Sequence, residues 1–127
     1  MKHFATIQAA YSIINCVNHR LKKPIMVKVH SKKGRDYSGM YNDCGNHHKI
    51  TIIMYPYHKD TKMLTETVLH ELQHAKQVEH KNMQDLVHDK AFFRALDLML
   101  TKFGIEKTSK EHKKDCRELG RLMGNSN

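Results

Sequence analysis

Apolar residues along this chain follow two rhythms. Phe4, Ile7, Tyr11, Ile14, Val17 and Leu21 recur every three or four positions, the spacing of one helix face, and the pattern stops at Pro24. Ile25, Val27 and Val29 then alternate with Met26, Lys28 and His30, the period of a strand with one buried face. After a polar turn around Gly34, a second short strand is expected over residues 37–41. Asn42, Asp43, Gly45 and Asn46 are turn formers and predict a loop. Residues 49–55 make the clearest strand, with Ile50, Ile52 and Met54 on one face and Thr51, Ile53 and Tyr55 on the other. Pro56 closes it.

Helical spacing returns with Leu64, Val68, Leu72, Ala75 and Val78, behind a cap at Asp60 or Thr61. A polar loop at Lys81, Asn82 and Met83 separates this helix from a third, which carries Phe92, Leu96, Met99 and Phe103 and stops at Gly104. A last helix is expected over residues 108–123, where Thr108 and Glu111 have the spacing of a capping box. The order α-β-β-β-α-α-α predicts an α+β fold: an N-terminal helix, a small three-stranded, mostly antiparallel sheet, then further helices.

The 127 residues are expected to form a single domain over 1–127. No stretch approaches the roughly 18 apolar residues of a membrane span. The three cysteines, Cys16, Cys44 and Cys116, are odd in number and far apart, and the N-terminus lacks an unbroken apolar run. Both features point to a reducing, cytoplasmic setting rather than secretion. Cys16, beside the stripe of the first helix, is expected to be buried.

The informative stretch is His70-Glu71-Leu72-Gln73-His74, inside the second helix. Residues four apart share a helix face, so two imidazoles so placed reach one zinc ion at about 2.0–2.1 Å. Glu71, one position on, emerges beside the metal, where it can take a proton from zinc-bound water. With 11 histidines in the chain, chance would place such a triplet about 0.04 times. A catalytic zinc carries three protein ligands and one open position. His88 is the favoured third ligand, because the 13 intervening residues can fold back over the first pair. His80, six residues beyond His74, points elsewhere on a continuing helix; Glu79, Asp85 and Asp89 are the carboxylate alternatives.

The stretch from Val68 to His74, followed by His88-Asp89-Lys90-Ala91-Phe92, resembles the SprT-like zinc metallopeptidases, which include the Spartan proteases. The resemblance covers residues 37–103; Asp89 stands where the family commonly has glycine, and the residues after 104 are expected to form one helix and a tail rather than a zinc ribbon. It implies a minimal zincin-like metallopeptidase domain, with one Zn2+ ion on His70, His74 and His88 and Glu71 as catalytic base. It also implies a substrate that is a protein or peptide, and a strand at 49–55 forming the edge along which that substrate lies. The reaction expected is metalloendopeptidase hydrolysis of peptide bonds.

Seven basic residues and no acidic one lie between Arg20 and Arg35, within a net charge of +9. Lys22, Lys23, Lys32, Lys33 and Arg35 are the candidate nucleic-acid contacts, as a salt-sensitive surface that does not read sequence. SprT-like proteases act on DNA-associated proteins, which such a surface suits. The chain is expected to act as a monomer without membrane contact. Two other readings compete: a DNA-associated binding protein with a structural zinc, and an ImmA/IrrE-like regulator-cleaving peptidase with a carboxylate third ligand. Tyr37, Tyr41, Tyr55 and Tyr57 flank the strands, where packing is the commoner role.

Overall fold

The computed structural model describes residues 2–30, 38–53 and 61–105. Within them the chain runs α1 (Lys2–Asn15), β1 (Ile25–His30), β2 (Gly39–Asp43), β3 (His48–Ile53), α2 (Thr61–Lys81) and α3 (Lys90–Thr101). This is a small α+β fold with three helices and a three-stranded mixed sheet. The C-terminal helix expected at 108–123 lies outside the described residues.

Helix α1 is shorter than its apolar rhythm. The Cys16 amide bonds to the carbonyls of Ser12 and Ile13, and the Val17 amide to that of Ile14, so the last turn tightens and stops. Arg20 then takes a left-handed backbone conformation, φ 58°. The end of α2 catches this segment: Glu79 accepts the Lys22 and Lys23 amides, and His80 Nε2 donates to the Arg20 carbonyl. Tertiary hydrogen bonds thus override a helical pattern that ran on to Leu21. Ala10, Ile13, Ile14 and Val17 are buried; Phe4, on the same face by spacing, stays 64% exposed. Cys16 is exposed, not buried.

The sheet order is β1-β3-β2. Strands β2 and β3 form an antiparallel hairpin, with Tyr41 opposite Ile50. Gly45 turns it at φ 82°, its amide held by the Asp43 carboxylate. Strand β1 pairs with β3 in parallel, from Ile25 opposite His48 to His30 opposite Ile53. One of the two pairings is therefore parallel, where mostly antiparallel pairing was expected. Strand β3 is central rather than an edge, and this explains its sequence: Ile50, Thr51, Ile52 and Ile53 are all buried, as in strands covered on both faces. Among the described residues the edges are β1 and β2.

Helices α1 and α2 pack side by side on the sheet, α1 over β1 and α2 over β2 and β3, and α3 packs on α2. Helix α2 is the hub. Its stripe of Leu64, Val68, Leu72 and Ala75 enters the core with Ile14, Val27, Ile50, Phe92 and Leu96. Seven polar side chains of α2 are buried as well: Thr65, Thr67, His70, Glu71, Gln73, His74 and Gln77. Buried polar groups are costly unless they are partnered, so this concentration marks α2 as more than a structural strut.

Candidate metal centre

His70 and His74 stand one turn apart on α2, with ring centroids 5.1 Å apart. His88 reaches them from the loop ahead of α3. Its position is set by the helix start it precedes: Asp89 is the N-cap, and its carboxylate accepts the Phe92 amide at 2.8 Å. Asp89 has φ −92°, so the backbone makes no demand for glycine there.

The Nε2 atom of His88 lies 3.0 Å from Nε2 of His70 and 3.1 Å from Nε2 of His74. The three histidines offer ligand atoms all within 4.8 Å of one another. Tetrahedral zinc with nitrogens at 2.0–2.1 Å imposes a ligand–ligand separation of about 3.3 Å, close to the spacings seen. The three are close enough to bind one metal ion, and the donor set of imidazole nitrogens suits zinc, copper, iron or nickel.

Phe92 forms the floor. It is fully buried, stacks on His74 at 27° and 4.7 Å, and meets His70 and His88 edge-on at 4.8 and 5.0 Å. Burying a phenylalanine contributes roughly 1.5–3 kcal/mol, and here the same ring fixes the planes of three potential ligands.

Burial lowers the His74 pKa to about 4, only partly offset by its hydrogen bond to Gln77. Its ring is therefore neutral at pH 7, the form that binds a metal. Glu71, next to His70 in the chain, is buried, and burial pushes its carboxyl up to about 8. A dication in the site would draw it back down. Among the described residues, Glu71 Oε1 has no hydrogen-bond partner. Its Oε2 lies 3.3 Å from where a β-carbon on Gly39 would stand, so edge strand β2 runs directly over the carboxylate.

The carboxylate alternatives for the third ligand have other work. Asp89 caps α3. Glu79 accepts His48 Nε2 at 2.7 Å as well as the two lysine amides. Burial pushes Glu79 up, but the hydrogen bonds from His48, Lys22 and Lys23 outweigh it and hold the carboxyl down at about 2. That carboxylate can only accept, so His48 Nε2 donates, and Nδ1 of the same ring lies 2.7 Å from the Tyr41 hydroxyl. Tyr41 belongs to this buried chain rather than to the histidine cluster. Asp85 is exposed, and His80 holds the Arg20 carbonyl.

Of the candidate basic residues, Lys22 is exposed and Lys23 half-exposed, with its ammonium 3.9 Å from Asp43. Lys32, Lys33 and Arg35 lie outside the described residues.

Sequence reasoning passed over three contributors: Gly39, the Tyr41–His48–Glu79 chain, and Gln77. Gln77 had a signal, because 70, 74 and 77 fall on one helix stripe. No protein-family model, curated protein or solved structure matches this chain.

Proposed function

We propose that the chain is a zinc-dependent metalloendopeptidase of the SprT-like, zincin type. The observation that carries this reading is the convergence of three Nε2 atoms, from His70, His74 and His88, on a helix whose next residue after His70 is the buried Glu71. The donor set fits zinc, and among the described residues the cluster has three candidate ligands, the number that leaves a catalytic ion an open position. Zinc held there supplies Lewis acidity, polarising a carbonyl and easing the deprotonation of water.

The chain's own residues divide the remaining work. His70, His74 and His88 hold the ion, and Phe92 keeps their rings in register. Glu71 Oε1 takes the proton from the attacking water and returns it to the departing amine. Because the carboxyl sits under β2, which is an edge strand among the described residues, an extended peptide laid along that edge would bring its carbonyl to the base. A third ligand that is histidine favours this family over one with a carboxylate there.

The test is metal analysis of the purified protein together with a protease assay on native protein and Glu71→Gln. One zinc per chain and cleavage abolished by Glu71→Gln are expected. Native protein that takes up no zinc, or a Glu71→Gln variant that cleaves as native does, overturns the reading.

A further inference from the structure

Gln77 is 1% exposed and bonds both to His74 and to the loop that carries His88. Its backbone carbonyl accepts the Met83 amide at 3.1 Å. Its side-chain nitrogen donates to the Val87 carbonyl at 3.0 Å, and its side-chain oxygen lies 2.8 Å from His74 Nδ1. One residue therefore grips the loop that delivers His88 at both ends and also one of the helix-borne histidines.

The proton positions follow from the chemistry of the partners. A backbone carbonyl has no proton to give, so the amide that faces Val87 must present its NH2 group. The oxygen of that amide then necessarily faces His74, and it can only accept. His74 Nδ1 must carry the proton, and in the neutral ring Nε2 keeps its lone pair. Nε2 is the atom that converges on His88 and His70. The alternative tautomer would place an oxygen lone pair against a bare Nδ1 and a proton where a metal would sit.

We propose that Gln77 is the positioning residue of this site: it locks His74 in the Nδ1–H tautomer and clamps the His88 loop onto α2. The proposal rests on the metal reading for its purpose, though the tautomer it assigns belongs to the metal-free protein. Partners of this kind orient a metal-binding histidine, and their loss weakens metal affinity by about 10–100-fold.

Two variants separate the acceptor from the clamp. Gln77→Met keeps the side-chain length and loses both polar groups. Gln77→Glu keeps an acceptor for His74 Nδ1 and loses the donor to Val87. Zinc affinity, read by competition with a chromophoric chelator, is expected to fall about 10–100-fold in Gln77→Met, which loses acceptor and clamp together, and to fall by less in Gln77→Glu, which loses only the clamp. In parallel, the ring-nitrogen NMR shifts of His74 in metal-free native protein are expected to show a protonated Nδ1 and a bare Nε2. Gln77→Met that binds zinc as native does, Gln77→Glu as weak as Gln77→Met, or an Nε2–H tautomer in the native protein each overturns the proposal. If Gln77→Met does not fold, Gln77→Glu and the tautomer decide. Native protein that binds no zinc defeats the metal reading alone, and the tautomer measurement still judges Gln77.

Discussion

A β-carbon built on Gly39 would lie 2.5 Å from the Thr67 methyl, closer than side chains approach one another. Strand β2 and helix α2 therefore touch backbone to side chain at this crossing, one helical turn before Glu71. Gly39→Ala must push β2 away from α2 or shift Thr67. Overpacking of this kind costs about 1–3 kcal/mol. Gly39→Ala is expected to lower the thermal midpoint and, by moving the strand edge off Glu71, to reduce peptidase activity. Thr67→Ser in the same chain removes the clashing methyl and should restore both. Calorimetry and a peptide-cleavage assay on the single and double variants check this; no rescue by Thr67→Ser would mean that the contact does not set the spacing.

Metal dependence should follow the three histidines and no other candidate. His70→Ala, His74→Ala and His88→Ala are each expected to lose tight zinc binding, whereas Asp85→Asn should retain it. Zinc that binds only the folded state stabilises by about 4 kcal/mol at a thousandfold excess over its dissociation constant. Chelator should therefore lower the melting temperature of native protein and leave that of His88→Ala unmoved. Native zinc affinity in His88→Ala would transfer the third position to another group.

Acid should weaken the latch between α2 and the segment ahead of β1. The Glu79 carboxyl is held at about 2 in the fold, against an ordinary value near 4.5. A group depressed in this way contributes its stability above the ordinary value and loses it as pH falls toward the folded one. Native protein is thus expected to lose its urea-midpoint advantage over Glu79→Gln progressively between about pH 5 and pH 2. A gap between the two proteins that stays constant over that window would contradict the assignment.

If the basic block engages DNA, affinity should fall steeply with added salt, as released counterions require. Lys32→Glu, Lys33→Glu and Arg35→Glu in one chain should remove most of it while zinc content stays native. Fluorescence anisotropy across a salt series reads both effects. Salt-independent binding would end this reading without touching the peptidase one.

The histidine pair was legible from sequence because helical spacing is local geometry. Once 61–81 is helical, His70 and His74 share a face whatever else the chain does. The same rule put Gln77 on that face, but spacing alone does not say which polar residue a distant carbonyl will meet. His88 was reachable as a candidate through its place just ahead of a helix, and the Asp89 cap explains why it stops there.

What the sequence determined by itself was periodicity: three strands, four helices of which three fall within the described residues, and a histidine pair on one face of the second helix. The tertiary structure alone decided which strand is central, since β3 pairs directly and in parallel with β1, although β2 lies between them in sequence, and no local pattern records that choice. It also decided that α1 ends at Asn15, because Glu79 and His80 capture the following segment from the far end of α2. And it brought three imidazole nitrogens and the Gln77 amide together, and buried the Glu71 carboxyl under β2, an arrangement that depends on how α2, the His88 loop and β2 pack rather than on the rhythm of any one of them.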